Sequence, residues 1–184
     1  TMVQLLNFVI DTTGPAELTG AVVVNGSLVD RVALFNLDLS AASVVLGAAS
    51  AGSRTYTASA SQGILLMSEV LYNIAGMRIP LVMTCANRAL SAPLSIWNDQ
   101  QDSMAVRDAG WIQLYCTDNQ EAVDTTIQAF RITQETELPV MVCMDGFILT
   151  HTMEPIDLPE HEAVRGWLPP LQSHTDVRAS GGAG

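Results

Sequence analysis

RTYTASASQGILLMSEVLYNIAGMRIPLVMTCANRALSAPLSIWNDQQDSMAVRDAGW, residues 54–111, decides the fold. RTYTAS (54–59) is rich in Thr and Tyr and suits a strand. Ser59 to Gly63 is a run of small polar residues. From Ile64 to Met77 the apolar positions Ile64, Met67, Leu71, Ile74 and Ala75 recur at helical spacing. IPLVMTCA (79–86) is a short apolar run of the kind buried on both faces of a sheet. NRALSAPLSIWNDQQD follows, with one arginine, Arg88, in a small, apolar and amide-rich turn. Strand, helix and strand over this length imply a parallel pair with a right-handed crossover. The turns SASASQG and CANRALSAP both leave the C-terminal ends of strands. That edge is where open α/β sheets bind ligands.

Working outward, WIQLYC (111–116) reads as a strand and Asn119–Thr133 as an amphipathic helix. Its apolar positions are Ala122, Ile127, Ala129, Phe130 and Ile132, and Glu121 stands in the first turn. LPVMVC (138–143) is a second buried-type strand, and MDGFILTHTMEPIDLP leaves its end. Towards the N-terminus, SAASVVLGAASA (40–51) reads as a helix of small residues, capped by Ser40 and stopped by Gly52. AVVVNGSLVDRVALFNL carries Asn25-Gly26 between two apolar runs. It is either a hairpin or a strand, a turn and a second buried strand. MVQLLNFVI (2–10) reads as a first strand. The alternation of strand and helix predicts a three-layer α/β sandwich with a mostly parallel sheet. A single domain is expected over 1–168, with an unpacked tail over 169–184 that contains Pro-Pro and ends SGGAG.

The chain has 184 residues, is 48% hydrophobic and has a mean hydropathy of +0.27, enough for one domain with a real core. No apolar run is long enough to span a membrane, and no leader peptide is expected. The formal charge is −11 and every basic residue is arginine. The acidic balance argues against nucleic acid or an anionic membrane as partner. The absence of lysine from the sequence excludes a Schiff-base mechanism on this chain. Cys85, Cys116 and Cys143 are too far apart in sequence for a Cys-x-x-Cys motif. They read as small buried hydrophobes in a reducing, cytoplasmic setting.

Arg88 is the residue to single out. A guanidinium at a strand end, among small residues, can grip a carboxylate in a bidentate way. The competing reading is a surface ion pair with Asp99, Asp102 or Asp108, which composition alone favours. The cluster WNDQQD (97–102) suits either a cation or a solvated helix start, with Asp99 as a cap. His151 and Glu154 have no clustered partners for a metal site. Asp38, before the small-residue helix, is either a desolvated carboxylate or a charge favoured by the helix dipole. No nucleophile elbow, P-loop or dinucleotide fingerprint is present. Residue chemistry alone does not reach a reaction.

Four segments carry it further: RTYTASASQGILLMSEVLY, ANRALSAPLSIWNDQQDSMAVRDAGWIQLY, DNQEAVDTTIQAF and LPVMVCMDGFILTHTMEPIDLP. In order and spacing they resemble the alpha subunit of the pyruvate:ferredoxin oxidoreductase (pyruvate synthase) family, from about Ser40 to Pro170. The resemblance implies the pyrimidine-binding domain of a thiamine diphosphate enzyme, an α/β sandwich with a parallel sheet. It implies oxidative decarboxylation of pyruvate to acetyl-coenzyme A with ferredoxin as electron acceptor. Arg88, in ANRALSAP, matches the arginine that binds the substrate carboxylate. Asp38 matches a glutamate that contacts the aminopyrimidine N1′ and promotes its imino tautomer; aspartate is one methylene shorter. Thr13, in DTTGPAEL, matches a threonine beside the substrate. Residues 1–39 otherwise diverge from the family pattern.

The cofactor, thiamine diphosphate, is then shared with a beta subunit that carries its diphosphate and magnesium. Iron–sulfur clusters sit on ferredoxin-type subunits of the same complex. This chain alone is expected to be inactive. One alternative is a sister specificity, for 2-oxoglutarate or a branched-chain 2-oxoacid. The other is a truncated, non-catalytic module that keeps only the subunit interface, motivated by the Glu-to-Asp departure and the divergent start.

Overall fold

A computed structural model describes residues 21–24, 27–31, 38–91, 93 and 95–169, with side chains from residue 41 onward. The 2–10 strand, Thr13 and the tail beyond 169 lie outside the described residues. Strands β1 (Ala21–Val24) and β2 (Ser27–Arg31) pair antiparallel across Asn25-Gly26, the hairpin of the two readings. They form a sheet of their own.

The main sheet has four strands: β3 (Tyr56–Ser59), β4 (Val82–Asn87), β5 (Ile112–Tyr115) and β6 (Val140–Asp145). Their spatial order is β3-β4-β6-β5, and every neighbouring pair is parallel. The chain therefore steps from β4 out to the edge at β5 and returns to place β6 in the middle. A strand that is central and parallel on both sides has both faces covered. β6 obeys this, with Val140, Met141, Val142 and Cys143 all fully buried.

Alternate residues divide between two cores, as strand geometry requires. Met83, Cys85, Met141 and Cys143 face one layer. It is built from α1 (Asp38–Ser50), α2 (Gln62–Leu66) and α3 (Ser68–Gly76). Val82, Val140 and Val142 face α5 (Asn119–Thr136) on the other side, through Ala129, Phe130 and Ile132. The three-layer sandwich is the architecture expected. Ile64, Met67, Leu71, Ile74 and Ala75, the spaced apolar set, all enter the first core. Ile64 lies on α2 and Leu71, Ile74 and Ala75 on α3, with Met67 at the junction, where the backbone turns to φ −94° and ψ 5°. Helix α1 begins at Asp38, two residues before the expected cap, so Ser40 sits inside it. Gly52, at φ 89°, ends that region as expected. Three short helices complete the fold: α4 (Gln101–Ala105), α6 (Ile148–His151) and α7 (His161–Trp167), with a 3-10 turn at Arg107–Ala109.

Candidate functional site

The C-terminal ends of β3, β4 and β6 deliver three turns to one edge of the sheet. The turn after β3 is tight. Gly63 N–H donates to Ala60 O at 3.0 Å, and Ser61, inside it, has φ 48° and ψ −120°. That backbone conformation is costly for any residue but glycine, and it persists only where the surroundings enforce it. Here they do. Ser61 is fully buried, its N–H donates to Asp102 Oδ2 at 2.9 Å, and its hydroxyl donates to Ala89 O at 2.6 Å.

Asp102 is the hub of the edge. It is 0% exposed. Its Oδ2 accepts from Ser61 N–H and from Arg88 N–H, the latter at 3.2 Å. Its Oδ1 accepts from Asn87 Nδ2 and from Ser103 N–H, each at 2.8 Å. Asn87 and Ser103 are buried too. Ser103 Oγ accepts from Asn87 Nδ2 at 2.8 Å and lies 2.9 Å from the Tyr115 hydroxyl, which donates to Gln113 Oε1. Behind Asn87, its carbonyl accepts from Gly146 N–H at 2.9 Å. One carboxylate thus links the turns after β3 and β4, and its neighbours reach β5 and β6. A buried carboxylate is tolerated when its oxygens are fully hydrogen-bonded, and this one is.

Arg88 leaves β4 at this edge, half-buried. Among the described residues its guanidinium has no hydrogen-bond or ion-pair partner. The surface ion pair that composition favours is not formed: Asp102 holds the backbone N–H of Arg88 instead. Asp99 accepts from Gln101 N–H at the start of α4, and Asp108 lies 3.8 Å from Arg107. Nor is WNDQQD a uniformly solvated acidic cluster, since Asp102 is enclosed. Trp97 from the post-β4 loop meets Phe147 from the post-β6 loop, ring centroids 4.5 Å apart and planes tilted by 53°. Phe147 in turn meets His151 at 5.1 Å. Trp97 is 62% exposed, so the rim of the edge is aromatic and open.

Of the other expected residues, Thr13 lies outside the described residues. So does the side chain of Asp38, which stands at the first position of α1. His151 and Glu154 go separate ways: His151 Nδ1 lies 2.8 Å from Phe147 O, and Glu154 accepts from Asn119 Nδ2 at 3.0 Å. No group of three or more His, Cys, Asp or Glu among the described residues is arranged to hold a metal ion. Cys85 and Cys143 sit side by side across β4 and β6, both buried as free thiols. Hydrogen bonding to Cys143, burial and the nearby Asp102 charge all push the Cys85 thiol above its ordinary range. It is held protonated and out of reach, which disqualifies it as a nucleophile.

The sequence marks Asp102 only as one of three candidate ion-pair partners of Arg88, and it does not mark Ser61, Asn87 or Ser103. Asp102 is one acid in a polar run, and nothing local separates it from Asp99. The one available signal is Asn87, an amide directly after the apolar run 79–86.

The edge is therefore a braced rim with one uncommitted guanidinium, suited to an anionic ligand at the carboxyl ends of parallel strands. Comparison with known proteins adds identity to that geometry. The family model "Pyruvate flavodoxin/ferredoxin oxidoreductase, thiamine diP-bdg" matches residues 13–178, reaching well before Ser40 and taking in Thr13. Pyruvate synthase subunit PorA of Methanocaldococcus jannaschii is 55% identical over 148 residues, 79% of this chain and 38% of that one. Ketoisovalerate oxidoreductase subunit VorA of Pyrococcus furiosus is 42% identical over 131 residues, 71% of this chain and 33% of that one. Among solved structures, 2-oxoglutarate:ferredoxin oxidoreductase from Magnetococcus marinus superposes with a TM-score of 0.55 at 25% identity. That match covers 61% of this chain and 21% of the other. The chain spans about two-fifths of the length of the curated relatives it matches. A braced strand edge, a parallel β3-β4-β6-β5 sheet and a family model over nine-tenths of the sequence agree: this chain belongs to the thiamine diphosphate-binding domain family of the pyruvate flavodoxin/ferredoxin oxidoreductases.

Proposed function

We propose that this chain supplies the pyrimidine-binding domain, over residues 1–168, of the alpha subunit of a 2-oxoacid:ferredoxin oxidoreductase acting on pyruvate. The observation that carries the reading is Arg88: a half-buried guanidinium at the end of β4, with no partner among the described residues. A charged group left unpaired at such a rim is matched to a ligand of opposite charge, and a planar fork suits a carboxylate. The greater identity to the pyruvate synthase subunit than to the ketoisovalerate subunit supports pyruvate over a branched-chain 2-oxoacid.

The residues of this chain divide the work. Arg88 binds and orients the substrate carboxylate. Asp38 would meet the aminopyrimidine N1′, holding a proton there, and Thr13 would lie beside the substrate. The described part of the site fits the substrate end of this arrangement. The magnesium and diphosphate contacts are assigned to a beta subunit. Thiamine diphosphate, when bound, supplies the carbanion chemistry of decarboxylation. Iron–sulfur clusters on ferredoxin-type subunits, ferredoxin and coenzyme A complete the reaction. A cytoplasmic setting accords with free Cys85, Cys116 and Cys143 and with no described helix long and apolar enough to cross a membrane.

The test is reconstitution with a family beta and ferredoxin-type subunit set, thiamine diphosphate and magnesium. Pyruvate-dependent viologen reduction is the expected result. Its absence, where an ordinary alpha subunit works in the same mixture, would favour the non-catalytic interface module instead.

A further inference from the structure

We propose that Asp102 is a positioning residue for substrate binding, one that fixes the direction in which Arg88 leaves β4. The proposal rests on the carboxylate-binding reading of Arg88 and assigns a second residue to that function.

Four observations carry it. All four hydrogen bonds to the carboxylate come from N–H groups, and two of them are backbone groups of turns that leave neighbouring strands. Ser61 and Arg88 share a single oxygen, Oδ2, so the turn after β3 and the turn after β4 are registered against one atom. Ser61 holds a backbone conformation that L-residues rarely adopt, and its N–H is aimed at that oxygen. No arginine pairs with the carboxylate among the described residues, although Arg88 is near enough to donate its own backbone N–H.

The last observation decides between a brace and a positioning device. A carboxylate beside a flexible guanidinium forms an ion pair where geometry allows it. Here the acid takes the arginine's backbone and leaves its side chain uncommitted. Any tilt of the Arg88 peptide swings the guanidinium at the end of a long side chain. An error of about 1 Å in such a group can cost a large factor in binding or rate. Asn87 and Ser103 finish the support, with Asn87 Nδ2 within 2.8 Å of both Asp102 Oδ1 and Ser103 Oγ.

The experiment uses the assembled complex with thiamine diphosphate and magnesium, assayed by pyruvate-dependent viologen reduction. Asp102→Asn keeps the shape but turns one acceptor oxygen into an NH2 group facing two N–H donors. The expected result is a rise in KM for pyruvate of about tenfold, with kcat changed less than about twofold. With Arg88→Ala already present, Asp102→Asn should raise KM by less than about twofold more, because it acts through the missing side chain. A merely structural acid would not give that coupling. Should Asp102→Asn fail to assemble, Asn87→Ala, which removes one of the four donors, takes its place in the same cycle. An unchanged KM in the single variant, or losses that multiply in the double variant, overturns the positioning role. If Arg88→Ala alone leaves KM unchanged, the carboxylate reading itself is wrong and the positioning role falls with it.

Discussion

The amide of Gly146 donates to the carbonyl oxygen of Asn87 at 2.9 Å, and the two backbones lie too close for any side chain at Gly146. The contact joins the end of β6 to the end of β4, directly behind the residue that feeds Asp102. Gly146 has no left-handed φ, so close approach alone demands glycine there.

Gly146→Ala places a Cβ on the Asn87 carbonyl and 2.9 Å from Ala86 O. Backbone cannot yield as a side-chain tip can. A destabilisation of about 1–3 kcal/mol is expected, a Tm several degrees lower for a domain of this size. Differential scanning calorimetry of the variant checks it; an unchanged Tm contradicts the packing.

Ser61 combines a strained backbone with a useful hydroxyl, and two variants separate them. Ser61→Gly relieves φ 48° but loses the bond to Ala89 O, whereas Ser61→Ala loses the bond and keeps the strain. Both should destabilise, Ala more than Gly by about 1 kcal/mol. Urea denaturation gives the ranking, and an Ala variant at least as stable as Gly would contradict the strain.

Trp111 buries its ring and donates Nε1–H to Leu71 O at 2.9 Å, tying α3 to the start of β5. Trp111→Phe removes that bond and leaves a gap beside the helix. A loss of about 1–3 kcal/mol in unfolding free energy is expected. Stability equal to the parent chain would mean that the bond contributes nothing.

Stability should fall in alkali. Burial holds the Tyr56 hydroxyl above the ordinary 10.0, outweighing its hydrogen bond to Thr84. The Cys85 thiol is raised above 9.0 by Cys143, by burial and by the Asp102 charge. Groups raised in the folded state keep protons that the unfolded chain has lost. The unfolded chain then binds fewer protons, so unfolding becomes easier as pH rises. Their contribution is complete below the ordinary thiol value and is lost as pH climbs through the folded values. The urea midpoint should be flat from about pH 7 to 8.5 and decline above about 9. Cys85→Ala should shallow that decline; a midpoint that rises above pH 9 contradicts the assignment.

The sandwich was legible because its signals are local. Ile64, Met67, Leu71, Ile74 and Ala75 repeat at helical spacing and all enter one core. Val140 to Cys143 is an unbroken apolar run and Val82 to Cys85 is broken only by Thr84, as strands covered on both faces allow. The break at Met67 was illegible because the apolar rhythm runs straight through it. Of the proposed site, Arg88 stands out in the sequence as a lone guanidinium in a turn of small residues, and the resemblance adds its carboxylate role. Asp102 escaped because its burial is a long-range fact, made by Ser61, 41 residues away, and Asn87, 15 away. No short window of sequence brings Ser61, Asn87 and Asp102 together. The place of β5 at the sheet edge, outside β6, is likewise set by tertiary packing and leaves no mark in WIQLYC.

The proposed pyruvate site depends most directly on Arg88. In the reconstituted complex, steady-state viologen reduction against pyruvate concentration should show Arg88→Ala raising KM by about ten- to a hundredfold, the value of a charge-assisted hydrogen-bond pair. Wild-type KM in that variant, with the complex intact, would contradict the carboxylate role at the end of β4.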